Sequence, residues 1–130
     1  MKTASFQTYA GPGRISIARY APRRTPSGYR IFTALAPGRW FNSVSRDEYE
    51  HLYKAEMLDR LDPLRTWNIL HEMSGRGNEP VLLCWEKPPF SEKNWCHRRI
   101  VARWLKEQLG YDVDELCQAF KPLPQLDLFA

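Results

Sequence analysis

Val81-Leu82-Leu83-Cys84-Trp85 constrains the fold of this chain more than any other segment. An unbroken apolar run opened by Pro80 cannot alternate between core and solvent, so it predicts a central strand covered on both faces. Strands of that kind pair in parallel, and parallel neighbours need crossover connections, usually helical. Helical signals lie on both sides of the run. Ser45-Arg46-Asp47-Glu48 has the spacing of a capping box, and Tyr49, Leu52, Tyr53 and Met57 recur at helical intervals, which predicts a helix from about 46 to 60. Asp62-Pro63 reads as the cap and first residue of a second helix, with Leu64, Trp67 and Leu70 inward, ending at Gly75-Arg76-Gly77-Asn78. Beyond a polar, proline-containing loop at 86–94, the residues Ile100, Val101, Trp104, Leu105 and Leu109 predict a long helix over about 95–109, stopped by Gly110.

Shorter segments complete the sheet. Arg14-Ile15-Ser16-Ile17-Ala18-Arg19-Tyr20 alternates after a Gly-Pro-Gly turn and predicts a strand; Tyr29 to Leu35 predicts another, and Tyr111-Asp112-Val113 a short return strand. The expected fold is α/β: a single compact domain over residues 1–118, with a small, mostly parallel, Rossmann-like sheet flanked by helices. An extended, proline-containing tail over 119–130 completes the chain. With 130 residues, of which 43% are hydrophobic, one core is what the chain can build. No apolar run approaches the roughly 20 residues that cross a bilayer, and the first residues lack the apolar stretch of a signal peptide. The expectation is a cytoplasmic protein with no membrane partner, in which Cys84, Cys96 and Cys117 are reduced thiols. A net charge of +4 favours polyanionic partners.

Reactive side chains gather where the central strand should end and the long helix begin: Cys84-Trp85-Glu86, then Cys96-His97-Arg98. Open α/β sheets bind ligands beyond the carboxyl ends of their strands. The helix N-terminus there favours an anion, and Arg98 or Arg99 has the geometry to hold a phosphate. The same positive field favours a thiolate at Cys96, with Glu86 available as acid or base. Cys84, Glu86, Cys96, His97 and Arg98 are therefore the candidate catalytic group. Each has a plainer use: Cys84 and His97 as packing residues, Glu86 as the ion-pair partner of Arg98. His51 and His71, mid-helix, read as structural. Zinc on Cys84, Cys96, His97 and Glu86 is disfavoured, since a Cys and a His adjacent in sequence do not easily point at one ion and no CxxC pair exists. No cofactor is expected. Arg19, Arg23, Arg24 and Arg30, with Arg39 nearby and interleaved with Tyr20, Tyr29, Trp40 and Phe41, have the composition of a nucleic-acid surface, though charge-rich loops are often only solvated.

Two resemblances add to this reading. Arg19-Tyr20-x-Pro22, Leu35-Ala36-Pro37, the stretch from Tyr49 to Asp62, and Leu83-Cys84-Trp85-Glu86 followed by Cys96-His97-Arg98 resemble the domain of unknown function 488 family over most of residues 14–115. That resemblance implies a fold and a site, but no reaction. Gln125-Leu126-Asp127-Leu128-Phe129 resembles the peptide by which bacterial replication and repair proteins grip the sliding clamp. Its apolar groups suit a groove, Pro122 and Pro124 stiffen the approach, and the pattern arises by chance in such a chain at a rate on the order of 10⁻⁴. A strand or tail folded back on the core is the plainer use of these residues. The clamp reading implies a bacterial or phage protein of DNA repair, replication or base modification, acting on DNA or nucleotides. A non-enzymatic clamp ligand, either an adaptor or an inhibitor of host replication, is the second reading. A nucleotide or small-molecule enzyme with a packed tail is the third.

Overall fold

The computed structural model describes residues 1–22, 27–87, 89–91 and 93–116. Its centre is an all-parallel sheet of β1 (Lys2–Ser5), β2 (Arg14–Ser16), β3 (Arg30–Ile31), β4 (Val81–Cys84) and β5 (Asp114–Glu115), in the spatial order β3-β2-β4-β1-β5. Three α-helices, α1 (Arg46–Glu56), α2 (Pro63–Met73) and α3 (His97–Leu109), connect or flank it among the described residues. The α/β fold expected from the sequence is the fold observed.

β4 is buried at every position and lies between β1 and β2. Leu82 packs into the larger core with Ile15, Ile17, Tyr53, Leu70, Val101 and Leu105, whereas Val81 and Leu83 join a smaller cluster with Ala4, Phe6 and Ala18. That division follows from side chains alternating across a strand, and it explains why the run had to be apolar throughout. The helix ends follow their caps. The Ser45 hydroxyl accepts from Glu48 N at 3.2 Å, the Asp62 carboxylate accepts from Leu64 N and Arg65 N, and Gly110 takes the left-handed φ of 78° that ends α3.

Several boundaries differ from expectation. The first expected strand shortens to β2, because the chain beyond Ile17, whose amide still bonds to Leu83 O at 3.0 Å, turns out of the sheet. Within Tyr29 to Leu35 only Arg30–Ile31 pairs; Thr33–Leu35 closes into a 3-10 turn that buries Leu35. The return strand forms at Asp114–Glu115 rather than 111–113, where Tyr111 instead packs on Trp67 with ring centroids 4.6 Å apart. The helix expected to reach 60 ends at Glu56 and is followed by a 3-10 turn, Leu58–Arg60. Arg23, Arg24, Cys117 and the tail, including Gln125, Leu126, Asp127, Leu128 and Phe129, lie outside the described residues.

Strand order fixes where the sheet opens a crevice. From β2 the chain moves outward to β3, whereas from β4 it crosses through α3 past β1 to β5. The connections leaving these two neighbouring strands therefore part in opposite directions, opening a crevice at their carboxyl ends.

Candidate functional site

A cleft of about 560 Å³ occupies that crevice. Its walls come from the residues after β2 (Ala18, Arg19, Tyr20), the end of β4 with the first two loop residues beyond it (Cys84, Trp85, Glu86), and the start of α3 (Cys96, His97). Phe41, Tyr49, Lys93 and Trp95 line it as well. The Trp85 indole donates to Tyr20 O at 2.8 Å, tying the two strand ends together across the opening.

Cys84 and Cys96 form a disulfide, with Cα atoms 7.0 Å apart. The sequence led us to expect reduced thiols; the end of β4 and the cap of α3 instead bring both sulfurs to one point. Cys96 is the N-cap of α3, with an extended backbone (φ −144°, ψ 145°), and His97 is the first helical residue. This change of backbone conformation lets two adjacent side chains turn toward the same place. His97 is buried, and its Nε2 donates to the carbonyl of Ile17 at 2.7 Å, since a carbonyl can only accept. That leaves the Nδ1 lone pair facing Cys96 Sγ at 3.8 Å. Burial lowers the His97 pKa to about 4, with the Arg98 charge acting the same way and the bond to Ile17 opposing, so the ring is neutral at pH 7.

Arg98 takes a different place from the one expected of it. Its side chain is fully buried and is not part of the cleft wall. Nε and Nη2 donate to the Glu115 carboxylate at 2.9 and 2.7 Å, Nη2 also to Glu86 O at 2.7 Å, and Nη1 to Cys84 Sγ at 3.2 Å. The guanidinium lies over the Phe90 ring, 4.9 Å from its centroid. Arg99 is engaged with Thr3 Oγ1 and Val113 O. The structure thus gives Arg98 no free face for phosphate. Arg98 holds the end of β4, the loop after it and β5 in register, and sets a positive charge against Cys84. Glu86 stays on the cleft wall, while its carbonyl accepts from Arg98 in place of the expected carboxylate ion pair.

Tyr49, from α1, is the group the sequence did not single out. It is buried against Trp40 and Trp95 at ring centroid distances of 5.0 and 4.7 Å, and lines the cleft. Among the described residues its hydroxyl has no hydrogen-bond partner. Burial, and secondarily the charge of Glu86, raise its pKa, so it stands as a neutral donor beside a carboxylate. Glu115 was missed too, and nothing local marks it: its role follows from β5 lying beside β1, with Thr3 Oγ1 donating to it at 2.7 Å. His71 bonds to Trp67 O within α2, the structural place expected of it, whereas His51 is exposed on α1.

Of the basic group, Arg19 reaches the cleft, where one donor meets Pro37 O at 3.1 Å and the guanidinium stacks 5.6 Å from the Tyr20 centroid. Arg30 is exposed on β3, at the edge of the sheet. Arg19 and Lys93 are the cations on the cleft wall; Tyr20, Phe41, Trp85 and Trp95 are the large aromatic faces beside them. Three potential ligand atoms, on Cys84, Cys96 and His97, lie within 4.8 Å of one another. No helix among the described residues is long and apolar enough to cross a membrane.

No protein-family model matches this chain, and no curated protein and no solved structure matches it at a significant level. The resemblance to the domain of unknown function 488 family therefore rests on the residues quoted for it.

Proposed function

We propose that the chain binds a nucleotide or an exposed nucleobase in this cleft and acts on it there, in bacterial or phage DNA repair, replication or base modification. Residues 125–129 would hold it to the sliding clamp. The observation that carries the reading is the coincidence of a cavity of about 560 Å³ with the point where the connections from β2 and β4 diverge. Ligand sites of this class of sheet occur there, and the volume falls in the usual range for small ligands. The wall chemistry supports the ligand class. Arg19 and Lys93 suit a phosphate, Tyr20, Phe41, Trp85 and Trp95 suit a planar base, and Glu86 and Tyr49 can exchange hydrogen bonds with its edge. The clamp part of the proposal rests on the sequence motif alone.

Titration of the full chain with mononucleotides and short single-stranded DNA at two salt concentrations tests the cleft. Arg19→Ala should weaken binding about tenfold and Lys106→Ala hardly at all, because Lys106 pairs with Asp112 on the surface at 2.8 Å. Equal losses in both variants would reduce the effect to diffuse charge. Calorimetry with the clamp tests the tail: binding in the micromolar range, abolished by Leu128→Ala with Phe129→Ala, is expected. Clamp binding without nucleotide binding would leave the adaptor or inhibitor reading; nucleotide binding without clamp binding would leave the enzyme with a packed tail.

A further inference from the structure

We propose that, once the Cys84–Cys96 disulfide is reduced, Cys84 Sγ, Cys96 Sγ and His97 Nδ1 form a three-ligand site for a thiolate-preferring divalent ion such as zinc, with the fourth position open to the cleft. The inference deepens the cleft reading by naming what its floor could hold, and it rests on the same residues.

The geometry matches the ion. Zinc at about 2.3 Å from sulfur and about 2.0 Å from nitrogen, with tetrahedral angles, needs neighbouring sulfurs roughly 3.8 Å apart and a sulfur and a nitrogen roughly 3.5 Å apart. Cys96 Sγ and His97 Nδ1 are already 3.8 Å apart. The Cα atoms of Cys84 and Cys96, 7.0 Å apart, let the two sulfurs separate by side-chain rotation alone once the bond between them is gone. The objection that an adjacent Cys and His cannot share an ion falls because Cys96 is extended and His97 helical.

The surroundings complete the case. A histidine that ligates through one nitrogen usually donates from the other to a carbonyl or carboxylate, and the His97 bond to Ile17 O at 2.7 Å has this form. Two thiolates need positive partners, and Arg98 Nη1 donates to Cys84 Sγ at 3.2 Å while the N-terminus of α3 faces Cys96. Three buried protein ligands beside an open cavity is the pattern of catalytic zinc sites, whereas structural sites close all four positions. The open position would take water or an oxygen of the ligand, with Glu86 and Tyr49 on the same wall.

Loading is balanced. A dithiol reductant gives two electrons and two protons to the protein disulfide and leaves as its own disulfide; the divalent ion then displaces the two thiol protons. Cobalt(II) is the probe, since it adopts the zinc geometry and is coloured. The dithiol-reduced full chain, freed of excess reductant without air, should give the intense visible absorption of a tetrahedral ion with thiolate charge transfer, saturating at a single ion per chain. Cys96→Ser should weaken cobalt binding at least about 100-fold and Cys117→Ser should not. Should Cys96→Ser fail to fold, Cys84→Ser gives the same reading from the strand side. A weak octahedral spectrum in the reduced wild type, or a tetrahedral one that survives loss of either cysteine, would overturn the proposal. Nucleotide titration of the metal-free, oxidised chain reads the cleft separately, so the two failures remain distinct.

Discussion

Floor and rim of the cleft are built on different terms. On the floor, Cys84, Cys96 and His97 are buried, with Arg98 buried behind them, and the polar atoms of His97 and Arg98 have assigned partners. Around the rim, Tyr20 is 62% and Trp85 44% exposed, Lys93 is exposed, and Arg19 has one described hydrogen bond. Removing a buried charge or ring from this region costs stability, since each was ordered by a specific neighbour. A rim of this kind can lose a side chain at little cost to stability and some cost to binding. The contrast separates residues that would hold reactive groups in place from residues that would select the ligand.

Removing the fully buried charge behind the floor should have the largest effect. Arg98→Met leaves the Glu115 carboxylate, with 12% of its side chain exposed, without its partner, and should cost about 3–5 kcal/mol in urea unfolding. Adding Glu115→Leu should recover much of that loss, because an apolar pair replaces a half-empty ionic one. Failure of the second change to rescue the first would mean that the bonds of Arg98 to Cys84 and Glu86 matter more than the ion pair.

Acid comes next. His97 binds a proton near pH 4 in the folded, disulfide-bonded chain and near 6.5 when unfolded, so the unfolded state takes up protons first as pH falls. Its contribution is fully present above pH 6.5 and declines toward pH 4, by about 3 kcal/mol in all. His97→Gln should flatten that part of the stability profile measured by denaturant titration; an unchanged slope would remove His97 as its source.

At the rim, Arg19→Ala and Lys93→Ala should each weaken nucleotide binding about tenfold while shifting stability by less than about 0.5 kcal/mol. A rim substitution that unfolds the chain would erase the distinction between the two regions. The smallest effect belongs to Lys106→Ala. That exposed pair with Asp112 should contribute under about 0.5 kcal/mol and leave ligand binding unchanged.

Much of the fold was legible because its signals are local. The Ser45 and Asp62 caps, Pro63, the Gly110 stop and the Val81–Cys84 run state their roles within a few residues. β1 was not legible. Lys2-Thr3-Ala4-Ser5 has neither alternation nor a run of large apolar residues, and Thr3 and Ser5 are buried only because Glu115 and Trp85 O accept their hydroxyls from far along the chain. The floor of the cleft was read as a cluster, since Cys84, Cys96 and His97 flank one loop. The place of Arg98 was not, because its partner Glu115 is brought to it only by β5 joining the far side of β1. Nor could spacing show that Cys96 ends an extended segment and His97 starts a helix, which sets where both side chains point.

The central claim is that the crevice beyond β2 and β4 is the ligand site, and the tryptophans report on it directly. Trp85 and Trp95 line the cleft, whereas Trp67 packs on His71 and Tyr111, and Trp104 is buried in the main core. Nucleotide titration of the full chain, followed through the indole N–H resonances, should move Trp85 and Trp95 with one common saturation curve and leave Trp67 and Trp104 in place. Shifts at Trp67 with none at Trp85 or Trp95, or no shift at any of them at millimolar nucleotide, would contradict the account.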